Sequence, residues 1–140
     1  MTRGINPNLQ LINGLMTRKE VANILCMTET ALETRRKRGQ LPYVKVSKEN
    51  IRFNPSDIAS LFGLEGEIQS ISTPPALMTV KEAASYLAVT EETVRGLLKK
   101  HKIKKTKISS RTIRIKGTQI LDFIKNNSVG VFGTANKKGA

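Results

Sequence analysis

The sequence predicts a mainly α-helical chain with small β wings, laid out as two tandem copies of one unit. Two observations carry that expectation: an ungapped internal repeat, and the same succession of capping, turn and hairpin signals in each copy. The segment LMTRKEVANILCMTE, beginning at Leu15, aligns with LMTVKEAASYLAVTE, beginning at Leu77, 62 positions on. The register persists at Lys37/Lys99, Lys45/Lys107, Ser47/Ser109, Ile51/Ile113, Arg52/Arg114 and Ile58/Ile120. A repeat sustained at one offset marks a recurring structural unit and has to be read before any single element. The resulting layout is an N-terminal arm (1–14), a first unit (15–62), a linker (63–76), a second unit (77–124) and a flexible tail (125–140).

Each unit opens on a capping box, Thr17-x-x-Glu20 or Thr79-x-x-Glu82. There a hydroxyl and a carboxylate satisfy the orphan N–H groups of a helix start reciprocally. Apolar residues at helical spacing follow: Val21, Ala22, Ile24 and Leu25, or Ala83, Ala84 and Leu87. Thr28 and Thr90 then offer new N-caps, so a second helix starts after a tight turn. Helix, short turn and helix is the unit that sets its second helix into a DNA major groove. Gly39 can end that helix in a left-handed conformation, and Pro42 prevents its continuation.

Val44-Lys45-Val46 and Ile51-Arg52-Phe53 alternate with period two around Ser47-Lys48-Glu49-Asn50, which predicts a hairpin. Thr106-Lys107-Ile108 and Ile113-Arg114-Ile115 predict its counterpart. Pro55 suits the first turn of a closing helix, with Ile58, Leu61 and Phe62 as its buried stripe. Ile120, Leu121, Phe123 and Ile124 play that part in the second copy. Residues 63–76 are rich in Gly, Ser and Pro and read as a linker. Fully extended, such a segment spans roughly 45–50 Å, enough for two sites one helical turn apart on a duplex at about 34–36 Å.

Composition narrows the function. The 140 residues hold 24 Lys plus Arg against 11 Asp plus Glu, a formal net charge of +13. An excess of that size favours polyanionic partners. Counted by unit, residues 15–62 carry +4 and residues 77–124 carry +7. Cys26 is the only cysteine and His101 the only histidine, so no disulfide, thiolate zinc cluster or His-paired nucleophile is expected. No cofactor, metal, small-molecule ligand or catalysis is expected, because no constellation of paired carboxylates or activated nucleophile is present. No stretch is apolar enough to span a bilayer and the N-terminus lacks a secretory pattern, so a DNA-associated cytoplasmic location is expected. Cys26 is expected to be a small buried turn residue, His101 a surface residue at a helix end, and Tyr43 and Tyr86 packing residues.

Leu-Met-Thr-x-x-Glu-x-Ala-x-x-Leu, a turn, a Thr-capped helix, Gly39-Gln40-Leu41-Pro42, a hairpin and a last helix together resemble the MerR-like and excisionase-like winged helix-turn-helix family. The resemblance covers residues 15–62 and 77–124. It implies DNA binding without catalysis. The chain departs from the family pattern in the turn, where Cys26 and Ala88 stand for the usual Gly, and at His101-Lys102-Ile103-Lys104, which lacks Gly and Pro.

The candidate DNA-facing residues of the first unit are Thr28, Thr30, Thr34, Arg35, Lys37 and Arg38 on the second helix, with Lys45, Lys48 and Arg52 on the hairpin. Those of the second unit are Thr90, Thr93, Arg95, Lys99 and Lys100, with Lys107, Arg111 and Arg114. A threonine beside helix N–H groups can bind phosphate, and Arg can pair guanine bidentately. Hairpin cations are assigned to backbone positioning. Glu29, Glu33, Glu91 and Glu92 are expected to stabilise the early helix through its dipole. The expected partner is double-stranded DNA, read at specific sequences by an excisionase-type architectural factor or a regulator of a mobile element, together with a recombinase or another DNA-associated protein. The alternative is an adaptor that recruits a packaging or partition machine through its tail.

Overall fold

The computed structural model describes residues 9–70 and 74–131. Parts of the expected arm (1–8), linker (71–73) and tail (132–140) lie outside the described residues. The first half begins with strand β1 (Gln10–Ile12), then helices α1 (Arg18–Ile24) and α2 (Glu29–Lys37), strands β2 (Tyr43–Ser47) and β3 (Asn50–Arg52), and helix α3 (Pro55–Phe62). Strand β4 (Ile68–Ser70) follows. The second half has β5 (Leu77–Met78), α4 (Val80–Leu87), α5 (Glu91–Lys99), β6 (Thr106–Lys107), β7 (Ile113–Lys116), α6 (Gly117–Asn126) and β8 (Ser128–Val129).

Local chemistry accounts for the helix ends. Both capping boxes form: Glu20 N–H donates to the Thr17 hydroxyl while the Glu20 carboxylate accepts from Thr17 N–H, and Glu82 with Thr79 does the same. Thr28 and Thr90 accept from Ala31 N–H and Thr93 N–H. The turns between the helices need a left-handed residue, and Cys26 (φ 56°) and Ala88 (φ 59°) supply it without glycine. Such φ values cost a non-glycine residue energy, which the packing of both helices must offset. His101 (φ 61°) stands where Gly39 (φ 76°) ends the earlier helix. Asn54 caps α3, with Pro55 at its first position and left-handed Gly63 at its end.

Two hydrophobic clusters form. One joins Met16, Val21, Leu32, Leu41, Phe53 and Ile58 within the first half. The other joins Met78, Leu87, Val94, Ile103, Ile115 and Ile120 of the second half, and it also takes in Leu15, Val44 and Val46 of the first. The reason is the hairpin register. Val44 lies opposite Arg52 and Lys45 opposite Ile51, so the apolar residues of the two strands point to opposite faces. Ile51 and Phe53 fill the first cluster, and Val44 and Val46 fill the second.

The halves are therefore packed together. Strand β8 pairs antiparallel with β2, giving the sheet order β3-β2-β8, and β5-β7-β6 is its counterpart. Leu15 N–H donates to the Tyr86 carbonyl at 2.8 Å, and Arg52 Nε–H donates to the Ala88 carbonyl at 2.7 Å. Gly14 (φ 87°) lies so close to Tyr86 that an added Cβ would overlap its carbonyl.

Several expectations are corrected here. The described parts of the linker are docked where a free span was expected: Ile68 is buried, β4 pairs in parallel with β1, and Gly117 N–H donates to the Ala76 carbonyl. The arm is likewise partly a strand. The tail is ordered through Ser128–Val129 because β2 offers an edge to it. Leu61, Phe62 and Leu121 are exposed, and Ala59 takes the buried place on α3. Cys26 is exposed, because the turn projects it away from both clusters.

Candidate nucleic-acid interface

Helix α5 is anchored by Val94 and Leu97, both buried, which turns Arg95 and Lys99 outward. The start of α4, the outer face of α5 and the β6–β7 hairpin enclose an open cleft of about 370 Å³. Lys81, Arg95, Arg111 and Arg114 line it, and Glu91 is the one acid among the described residues that do. The Arg95 guanidinium reaches Glu91 at 3.3 Å, with both side chains largely exposed. A pair of that kind contributes little to stability, typically about 0.2–1 kcal/mol, so Arg95 remains available to an anionic partner. Arg114 Nη1 donates to the Ile113 carbonyl, which fixes the guanidinium at the cleft wall. Four cations around one concavity make a surface suited to phosphate.

Not every expected residue arrives there. Thr90 accepts from Thr93 N–H and their hydroxyls lie 3.0 Å apart, so both are engaged at the helix start. Lys99, Lys100 and Lys107 are exposed but do not line the cleft. In the first half, Thr30, Thr34, Arg35, Lys37, Arg38, Lys45 and Lys48 are exposed. Thr34 donates its hydroxyl to the Thr30 carbonyl and Thr28 is spent on its cap. Arg52 differs most from expectation: it is half-buried and bonded to Ala88 of the other half, to Ile51 and to Asn50. Burial lowers its affinity for a proton, with the nearby Arg18 charge adding to that.

Glu33 also departs from its expected dipole role. It accepts from Arg36 at 2.8 and 3.0 Å and lies 3.2 Å from Arg18 Nε, tying α2 to the start of α1. The Arg36 hydrogen bond holds the Glu33 carboxyl below its ordinary value, against the opposing effect of burial. Arg36 in turn stacks over Tyr43 at 4.7 Å. The residue that sequence reasoning missed is Lys81. Its signal was present, since Lys19 and Lys81 are identical at the repeat offset and sit in the first turn of their helices.

Residues 77–128 match the family model described as a helix-turn-helix domain. That match supports a helix-turn-helix DNA-binding domain in the second half, a DNA-binding regulatory role and DNA as a partner. Residues 15–62 lie outside the matched range. No curated protein and no solved structure matches the chain. Among the described residues, no cluster of three or more His, Cys, Asp or Glu is placed to hold a metal ion. No described helix is long and apolar enough to cross a membrane.

Proposed function

We propose that the chain is a sequence-specific double-stranded DNA-binding protein built from two tandem winged helix-turn-helix modules of the MerR-like and excisionase-like kind. It acts as an architectural factor or transcriptional regulator of a mobile element, without catalysis. The observation that carries the reading is the cationic cleft between α5 and its hairpin, in the half that matches the helix-turn-helix model. Helix α5 reads base edges while Arg111 and Arg114 hold the backbone. The first module adds Arg35, Lys37, Arg38, Lys45 and Lys48, so binding is bivalent, with the spacing set by packing between the halves. The engagement of Ser128–Val129 by β2 favours this reading over an adaptor whose tail serves as a docking peptide.

Selection from random duplexes, followed by anisotropy titrations over a range of salt, tests it. The expected result is an enriched motif whose log affinity falls linearly with log salt, by roughly 0.9 per phosphate neutralised. Absence of any enriched motif would overturn it.

A further inference from the structure

The contact between the halves joins Leu15 and one face of the first hairpin to the end of α4, the turn after it and strand β8 of the second half. On the donor side are Leu15, Val46 and Arg52, with relative exposures of 5% and 2% for the two aliphatics. On the acceptor side are the carbonyls of Tyr86, in the last turn of α4, and of Ala88, which follows it. The second half carries the same donor set 62 positions on: Leu77, Ile108 and Arg114. The backbone repeats too, since Thr106 pairs with Arg114 as Val44 pairs with Arg52. Arg114 donates to the carbonyl before it at 2.8 Å, as Arg52 does. Among the described residues nothing covers this second set: Leu77 is 42% exposed and Ile108 is 54% exposed.

The first half carries the matching acceptor. The end of α1 and the turn after it present Ile24 and Cys26, 62 positions before Tyr86 and Ala88. Cys26 has the same left-handed φ as Ala88, so the turn displays its carbonyls in the same way. Cys26 is exposed, and its thiol makes only a long 4.0 Å approach to the Ile24 carbonyl.

We propose that Leu77 of β5 and the outer face of the second hairpin (Ile108 and Arg114) dock a second copy of this chain through that copy's Ile24–Cys26 segment at the end of α1, repeating between chains the contact made within one. Donor and acceptor are different patches, so the association is head-to-tail and extends beyond a dimer. One difference sets its strength. In the second half the strand beside the turn, β8, is free to take β2, whereas in the first half β4 is already paired with β1. Strand β1 thus covers the strand portion of the acceptor, leaves the turn portion open, and limits growth of the chain of copies. Without a covalent tether to raise effective concentration, the contact between chains is weaker than the contact within one.

Sedimentation equilibrium without DNA tests this independently of the proposed function. The wild-type chain should rise above the 15.5 kDa of one copy as concentration approaches about 1 mM, a range set by typical tethered effective concentrations. I108D should abolish the rise without lowering Tm, and deletion of residues 1–13 should move it to lower concentration. Mixing the wild type with C26S/L77C and adding a short thiol–thiol cross-linker should give mainly the mixed 26–77 product. A mass fixed at one copy for both the wild type and the deletion variant overturns the proposal. So does an association that I108D leaves intact, or a product that is only symmetric 26–26 and 77–77. Docking of DNA on this face instead would show as a monomer in all these assays whose DNA affinity falls with I108D.

Discussion

The two hairpins share a pattern but not a fate. In the first, Val44, Val46 and Arg52 are turned into the other half, and in the second, Thr106, Ile108 and Arg114 meet solvent and the cationic cleft. The difference teaches that formal charge does not measure availability. Arg52 and Arg114 are the same residue at the same place in the repeat, yet one is committed to a carbonyl across an internal interface and the other lines an open concavity.

The largest effect that could break this comparison lies at the paired aliphatics. V46D places a carboxylate in an apolar cluster and should cost about 3–5 kcal/mol, whereas I108D should stay within about 0.5 kcal/mol. Thermal and denaturant unfolding of both variants checks it, and similar losses would mean the hairpins are not differently buried. Next comes DNA affinity. R111A/R114A should weaken binding by about tenfold or more and reduce the salt slope by about two, one for each backbone-holding cation lost. R52A should leave the salt slope unchanged; anisotropy at three or four salt concentrations separates the two.

Stability should invert that order. Removing a half-buried donor from the Ala88 carbonyl makes R52A about 1–2 kcal/mol less stable, and R114A should cost under about 0.5 kcal/mol. A loss smaller than that of R52A is expected at Glu33. Its carboxyl is depressed in the folded chain by Arg36, so its contribution is fully present above the unfolded value and is lost as pH falls through the lowered folded one. E33Q should therefore be less stable at neutral pH by roughly 0.5–1 kcal/mol and converge with the wild type in acid. Unfolding curves collected from neutral to acidic pH would reveal a gap that fails to close.

Local signals made much of this legible. The capping boxes, Thr28 and Thr90, Gly39, Pro55 and the two hairpins each act over a few residues, and all of them are where the sequence places them. What escaped depends on which faces meet. Leu61 and Phe62 fit a helical stripe, but α3 turns Ala59 inward instead. The linker and tail lack periodicity of their own, and within them Ile68–Ser70 and Ser128–Val129 take edges that β1 and β2 offer. The contact between the halves was not legible in the first hairpin: its Ser47–Asn50 turn predicts Val44 and Val46 in phase with Phe53 and Ile51, giving one apolar and one cationic face. The register shift between Lys45 and Ser47 puts them out of phase and buries both faces. The second hairpin has the polar Thr106 where the first has Val44, and there the outer face is open.

The cationic cleft of the second half is the claim on which the rest stands. Titrating the isotope-labelled chain with its selected duplex, and following backbone amides by NMR, tests it directly. The largest shifts should fall on Lys81, Arg95, Lys99 and residues 111–114, with Arg52 and Ala88 unmoved. Shifts confined to the first half, with the residues around the cleft unchanged, would contradict it.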